Sequence, residues 1–220
     1  MAAWDIVRAK GEARGFHSLG VPDGARRSVR LLEVSGPALA LGSTQPIDDV
    51  DLDVAQALGV DVFNRQSGGG AVLLDPGAQI WIDVVIGRSD PLWSDDVSVA
   101  SQWLGDVWVA ALHAVGIEGR VHRGAMVATG LSSVVCFAGL AAGEVTVDGA
   151  KVVGISQKRT RAGARFQCSV PLRWDVSRHS SLLAPGIARK NGDLAAVRVH
   201  PATLGDPAFD LRDAFIDALP

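Results

Sequence analysis

One apolar stripe constrains the fold of this chain more than any other feature. Val97, Ala100, Trp103, Leu104, Val107, Trp108, Ala111, Leu112 and Val115 recur at helical spacing, which predicts an amphipathic helix over 95–115. Ser94 or Asp95 can cap its start and Gly116 its end. Its two tryptophans read as core rather than as stacking platforms. Around this helix the pattern shortens to a period of two. Strands are predicted over 28–34, 38–41, 60–64, 71–74 and 80–86, and Ile80, Ile82, Val84 and Ile86 share one face. A second helix is predicted over 50–58, with Val50, Val54, Ala57 and Leu58 at helical spacing and Gly59 as its stop.

Val145 and Val147 lead into Asp148-Gly149, a tight-turn dipeptide, and Val152, Val153 and Ile155 continue beyond it. That is a hairpin over 144–156. Another strand is expected over 165–172, and the tail from 180 to 219 reads as short helices and loops. The sum is an α+β fold with a mixed, mostly antiparallel sheet flanked by helices. No internal repeat is present.

A chain of 220 residues that is 48% apolar suits one domain with an ordinary core. A formal net charge of -3 gives no reason to expect nucleic acid as a partner. Two cysteines make no disulfide framework, so Cys136 and Cys168 read as free thiols of a reducing compartment. The first ten residues contain Asp5 and lack the apolar core of a leader. No run approaches the roughly 18 apolar residues that a membrane helix requires. A cytoplasmic protein is expected, with no membrane partner. The five histidines show no metal-ligand spacing, so no metal is assigned. Asp83, inside an apolar strand, is either buried and functional or at an edge.

Two segments carry chemistry. In Arg65-Gln66-Ser67-Gly68-Gly69-Gly70-Ala71-Val72, three successive glycines have no packing value. They let the backbone turn sharply and approach a ligand with its N–H groups free, and Arg65 adds a fixed positive charge. The alternative is a flexible hairpin loop. The spacing is that of neither a phosphate-binding Walker loop nor a dinucleotide fingerprint. In Asp148-Gly149-Ala150-Lys151-Val152-Val153-Gly154-Ile155-Ser156-Gln157, Lys151 opens an apolar strand just after a turn. It could face a carboxylate, an acyl carbonyl or a phosphate across a cleft, or simply solvent. Cys136-Phe137 precedes this strand. A loop thiol near a lysine is a candidate nucleophile, although a buried apolar role is the commoner fate of a free cysteine. Cys168, within an apolar strand, fits that commoner role better.

Taken in order, RQSGGGAVLLD (65–75) and GAKVVGISQ (149–157) resemble the two signatures of the lipoate–protein ligase A and octanoyltransferase family. The resemblance covers about residues 29–183. It implies a single catalytic domain over 1–220 of the type shared with biotin–protein ligases, with no accessory C-terminal domain. It implies an acyl site lined by Arg65, Ser67, Gly68, Gly69, Gly70, Ala71, Val72, Gly154, Ile155 and Ser156. Lys151 would sit at the polar mouth of a narrow apolar slot. The chain departs from the family pattern at Leu73-Leu74-Asp75, where an aromatic and a histidine are usual before the aspartate. It also departs at Phe166-Gln167-Cys168-Ser169, where a histidine-glycine pair is usual.

Three readings follow from the resemblance. In a cysteine-dependent octanoyltransferase, Cys136 takes the acyl group from an acyl carrier protein and passes it to a lysine of a lipoyl-domain carrier protein without a cofactor, and Lys151 is catalytic, holding the developing oxyanion with N–H groups of the glycine loop. In an ATP-dependent ligase, lipoate or octanoate is activated as an acyl-adenylate with ATP and magnesium, and Lys151 lies at the phosphate. The third is a non-catalytic lipoyl- or biotin-binding relative. Under either enzyme reading the carrier's acidic surface calls for a local basic rim, for which Lys158, Arg159, Arg161 and Arg165 are candidates.

Overall fold

The computed structural model describes residues 3–187, 191–202 and 210–220. Its central strand is the one with the clearest alternation. In β6 (Gln79–Gly87), Ile80, Ile82, Val84 and Ile86 form one buried face, and Trp81, Asp83 and Val85 on the other are buried as well. A strand covered on both faces must lie inside a sheet. With β1 (Asp5–Gly11), β2 (Ser28–Val34), β7 (Arg120–Val121), β8 (Val145–Val147), β9 (Ala150–Arg159) and β10 (Gly163–Pro171), it builds a seven-stranded sheet ordered β1-β2-β6-β10-β9-β8-β7. Only the β1–β2 pair is parallel. A smaller sheet orders β4 (Asp61–Asn64), β3 (Ala38–Leu41) and β5 (Val72–Leu74) as β4-β3-β5. The expected mixed, mostly antiparallel sheet with flanking helices is what forms.

Several elements depart from expectation. β1 was not foreseen, because it is an edge strand: DIVRAKG is mostly exposed and offers no buried face to read. The long helix starts later, at Gln102, and α3 spans Gln102–Ala114. The Asp96 carboxylate accepts from Ser98 N and Ser98 Oγ at 2.8 and 2.7 Å. This local turn competes with the helix, and Val97 and Val99 are left exposed. The second helix, α2, is confined to Leu52–Ala57 and is capped by Asp51. Val50 lies outside it and pairs with Leu183 instead. The hairpin turn is as read, with Asp148 and Gly149 at φ 49° and 74°, the left-handed pair that a two-residue hairpin turn needs. In the tail, α4 spans Val176–Leu182 and α5 spans Leu211–Asp217. Trp108 of α3 meets Phe215 of α5 at 4.4 Å, so that tryptophan is core. No helix among the described residues is long and apolar enough to cross a membrane.

Asp83 is fully buried and structural. Its carboxylate pairs with Arg165 of β10, and Trp81 Nε1 donates to it at 2.9 Å. The same guanidinium donates to the carbonyls of Phe16, His17 and Leu19. Those carbonyls end α1 (Ala13–Ser18), a helix of six residues without a side-chain N-cap. Helix C-termini leave such carbonyls unpaired, and so short a helix is not stable alone. The buried Asp83–Arg165 pair therefore anchors α1 to the sheet. Arg165 is 2% exposed and is removed from the expected basic rim.

Arg165→Met should strand Asp83 as an unpaired buried carboxylate and cost about 3–5 kcal/mol. Urea unfolding checks this, and a loss below about 1 kcal/mol, the level of a surface pair, would contradict it.

Candidate acyl-transfer site

The glycine run connects β4 to β5 and is held from below. Arg65 is 5% exposed, and its Nη2 donates to the carbonyls of Gly68 and Gly70 at 2.7 and 3.0 Å. The loop then lies against the segment that leads to Cys136. Ala71 N donates to Val134 O at 2.9 Å, and Cys136 N donates to Ala71 O at 3.0 Å. A Cβ on Gly70 would overlap the backbone of Val134 and Val135. Glycine is required there for close approach rather than for flexibility, and the flexible-hairpin alternative is set aside. Arg65 was expected to face a ligand beside the loop. It lies under the loop and lines the Cys136 cavity, with its charge directed at loop carbonyls and at the Cys136 thiol, 3.8 Å away.

Cys136 opens a short 3-10 turn, Cys136–Ala138. Its half-buried side chain lines a cavity with His17, Arg65, Val72, Leu74, Trp81, Phe137, Gly154, Ile155, Ser156, Gln167, Cys168 and Ser169. The free volume is about 30 Å³, room for one or two waters. The slot is thus narrow. Phe137 separates it from an open cleft of about 430 Å³. Ala71 and Leu73 line that cleft rather than the slot, so of the three residues 71–73 only Val72 reaches the slot. Cys168 is buried, and burial pushes its thiol well up. It remains protonated and unreactive at neutral pH.

Lys151 is not solvent-facing. It is 4% exposed, and Nζ lies 2.7 Å from Glu144 Oε1, 3.1 Å from Cys136 O and 3.0 Å from Gly139 O. Its ammonium also lies 5.0 Å from the centre of the Phe137 ring. The lysine does approach the cysteine, as expected, but from beneath its turn and through its carbonyl. Glu144 was not foreseen. It accepts from Ile155 N at 3.0 Å and from Ala141 N at 2.7 Å, and so fixes both the lysine strand and the cysteine loop. The β8–β9 register shifts between Val145 and Thr146, next to Glu144.

His17 and Gln167 were also missed as site residues. Gln167 Nε2 and His17 Nδ1 are 3.1 Å apart, and Ser67 Oγ lies 3.2 Å from Ser156 Oγ. Burial and the nearby Arg65 and Arg165 charges lower the His17 pKa to about 3. Nothing in the sequence marks a lone histidine on a six-residue helix. Trp81 could have been found, because strand alternation puts it opposite the Ile80–Ile82 face.

Residues 20–204 match the family described as the lipoyl protein ligase A/B catalytic domain. The chain belongs to that family. It is similar to the octanoyltransferase LipM of Clostridioides difficile (strain 630), at 29% identity over 147 residues, covering 66% of this chain and 54% of that protein. The chain therefore spans about half the length of this relative. Among solved structures, a bi-partite lipoate protein ligase from Thermoplasma acidophilum, described with its E2 lipoyl domain, superposes with a TM-score of 0.74 at 17% identity, covering 99% of this chain and 82% of that one. A lipoate-protein ligase A bound with ATP superposes at 0.70 and 18% identity, covering 99% and 83%. At these identities the structures establish the shared fold.

His17 also ties the stability of this fold to pH. The folded state holds its pKa below the unfolded value of 6.5, so stability from this residue is complete above pH 6.5 and falls as acid protonates the unfolded chain. Between pH 6 and 4, His17→Gln should lose less stability than the wild type, by up to about 1.4 kcal/mol per pH unit. Urea titrations across that range check it, and parallel curves would contradict it.

Proposed function

We propose that this chain transfers a medium-chain acyl group, octanoyl as the lead substrate, from a thioester donor to a lysine of a lipoyl-domain carrier protein, through a thioester on Cys136. The observation that carries this reading is the placement of the Cys136 thiol in the wall of a narrow slot, 3.8 Å from the Arg65 guanidinium. The guanidinium lies where negative charge develops during acyl transfer.

In the first half-reaction Cys136 Sγ gives up its proton and bonds to the donor's carbonyl carbon. The donor's C–S bond breaks, and the departing thiol, that of an acyl carrier protein, takes a proton. In the second, the neutral amine of the carrier lysine attacks the Cys136 thioester. An amide forms, and Cys136 leaves with its sulfur reprotonated. Lys151 and Glu144 act as positioning residues, because they hold the main chain of the Cys136 turn. The turn must stay fixed between half-reactions for attack to occur at bonding distance. Lys158 and Arg161 remain candidates for the basic rim that meets the carrier. Arg159 stacks on Trp93 at 4.0 Å and is partly committed. Free thiols suit the cytoplasm as the place of action.

The ATP-dependent ligase reading uses the same slot but needs a cation for the acyl-adenylate phosphate. Lys151 is engaged by Glu144 and two carbonyls and would first have to leave them. That favours the transferase. The third reading, a non-catalytic binder, gives no part to the thiol in the slot wall.

Incubation with octanoyl carrier protein, without ATP, should add one octanoyl mass to the intact protein, and Cys136→Ser should abolish the adduct. Lys151→Ala should slow transfer by at least about tenfold, the effect of about 1.4 kcal/mol in positioning. No adduct, together with carrier lipoylation once ATP, magnesium and lipoate are supplied, would establish the ligase instead. If neither product forms, the binder reading stands.

A further inference from the structure

The slot beside Cys136 ends in a row of polar side chains that the acyl-transfer chemistry does not use. Sheet register gives the direction. Gly154 pairs with Ser169, and Ser156 pairs with Gln167, so the second pair lies two residues, about 7 Å, further along β9 from Lys151. At the first pair, a Cβ on Gly154 would meet Lys151 Cε and the Phe137 ring. At the second, Gln167 holds His17 at 3.1 Å. The His17 ring packs on Trp81 at 4.7 Å and on Phe63 at 5.4 Å between centroids, and it lines the same cavity as Cys136. Among the described residues only its Nδ1 is hydrogen-bonded. Burial keeps the ring uncharged, so it can face an apolar chain without bringing charge into the slot.

We infer that His17 is the end wall of the acyl slot and sets the longest chain the site accepts. The substrate class rests on the transferase reading above. The mechanism is steric. A chain long enough to reach the Ser156–Gln167 pair must displace a ring that is held by Gln167 and packed on Trp81 and Phe63. One methylene too many in such a pocket costs about tenfold or more in discrimination.

The test offers wild type, His17→Ala and His17→Gln an equimolar mixture of octanoyl, decanoyl and dodecanoyl carrier-protein thioesters and weighs the Cys136 adducts. Wild type should take octanoyl over dodecanoyl. His17→Ala should raise the dodecanoyl-to-octanoyl ratio by about tenfold or more. His17→Gln, which can still bond Gln167 and fill the end of the slot, should stay near wild type. If His17→Ala does not fold, His17→Val gives the same readout and keeps apolar packing on Trp81. An unchanged ratio with all adducts falling in parallel would overturn the inference and leave His17 a folding residue. If wild type forms no adduct with any donor, the transferase reading fails, and binding of free octanoate and dodecanoate, followed by tryptophan fluorescence, decides the wall separately. A gain of about tenfold for dodecanoate in His17→Ala supports it, and equal affinities in both proteins overturn it.

Discussion

The Arg65 guanidinium is buried under the glycine loop, and among the described residues no carboxylate pairs with it. A buried charge is expensive unless its N–H groups find acceptors. Here the acceptors are the carbonyls of Gly68 and Gly70. The loop folds over the arginine and gives Nη2 its acceptors, and only a residue without a Cβ, Gly70, can then pass the backbone at 134–135. The return path places Ala71 beside Val135 and so delivers Cys136 to the same cation. One electrostatic requirement thus fixes the loop and the thiol together. It leaves the site electropositive where negative charge would develop on sulfur or on an acyl oxygen.

A second buried cation works in the opposite way. Lys151 has its carboxylate, Glu144, and the pair joins the hairpin to the Cys136 turn. Such a pair contributes little net stability over apolar packing, but it specifies one arrangement. The third, Arg165 with Asp83, anchors α1 and brings His17 to the slot. Of the three cations only Arg65 lines the cavity itself; Lys151 and Arg165 hold the elements around it. Together they convert a sheet and a short helix into a site with a fixed thiol, a fixed turn and a closed end.

Much of this was legible in the sequence, for reasons of period. β2 and β3 coincide with the predicted 28–34 and 38–41, because buried alternation survives in a single chain. The Asp148-Gly149 turn was legible because the left-handed backbone demands those residues. What failed was non-local. β1 buries no face, so nothing in its pattern marks it. The start of α3 was lost to an Asp96–Ser98 turn whose strength propensity does not reveal. Lys151 could be read as a special lysine only through the family resemblance, since its burial depends on pairing with Glu144, which no local pattern marks. His17 could not be read at all, since a helix held by carbonyl contacts to a distant arginine leaves no sequence signature.

The most direct test of the account is a crystal structure of the protein after octanoylation by carrier-protein thioester. A thioester on Cys136 is expected, with the chain running between Val72, Leu74 and Trp81 toward His17 and Arg65 still bonded to the carbonyls of Gly68 and Gly70. An octanoyl group on Cys168, or a chain lying in the open cleft beside Ala71 and Leu73, would contradict it.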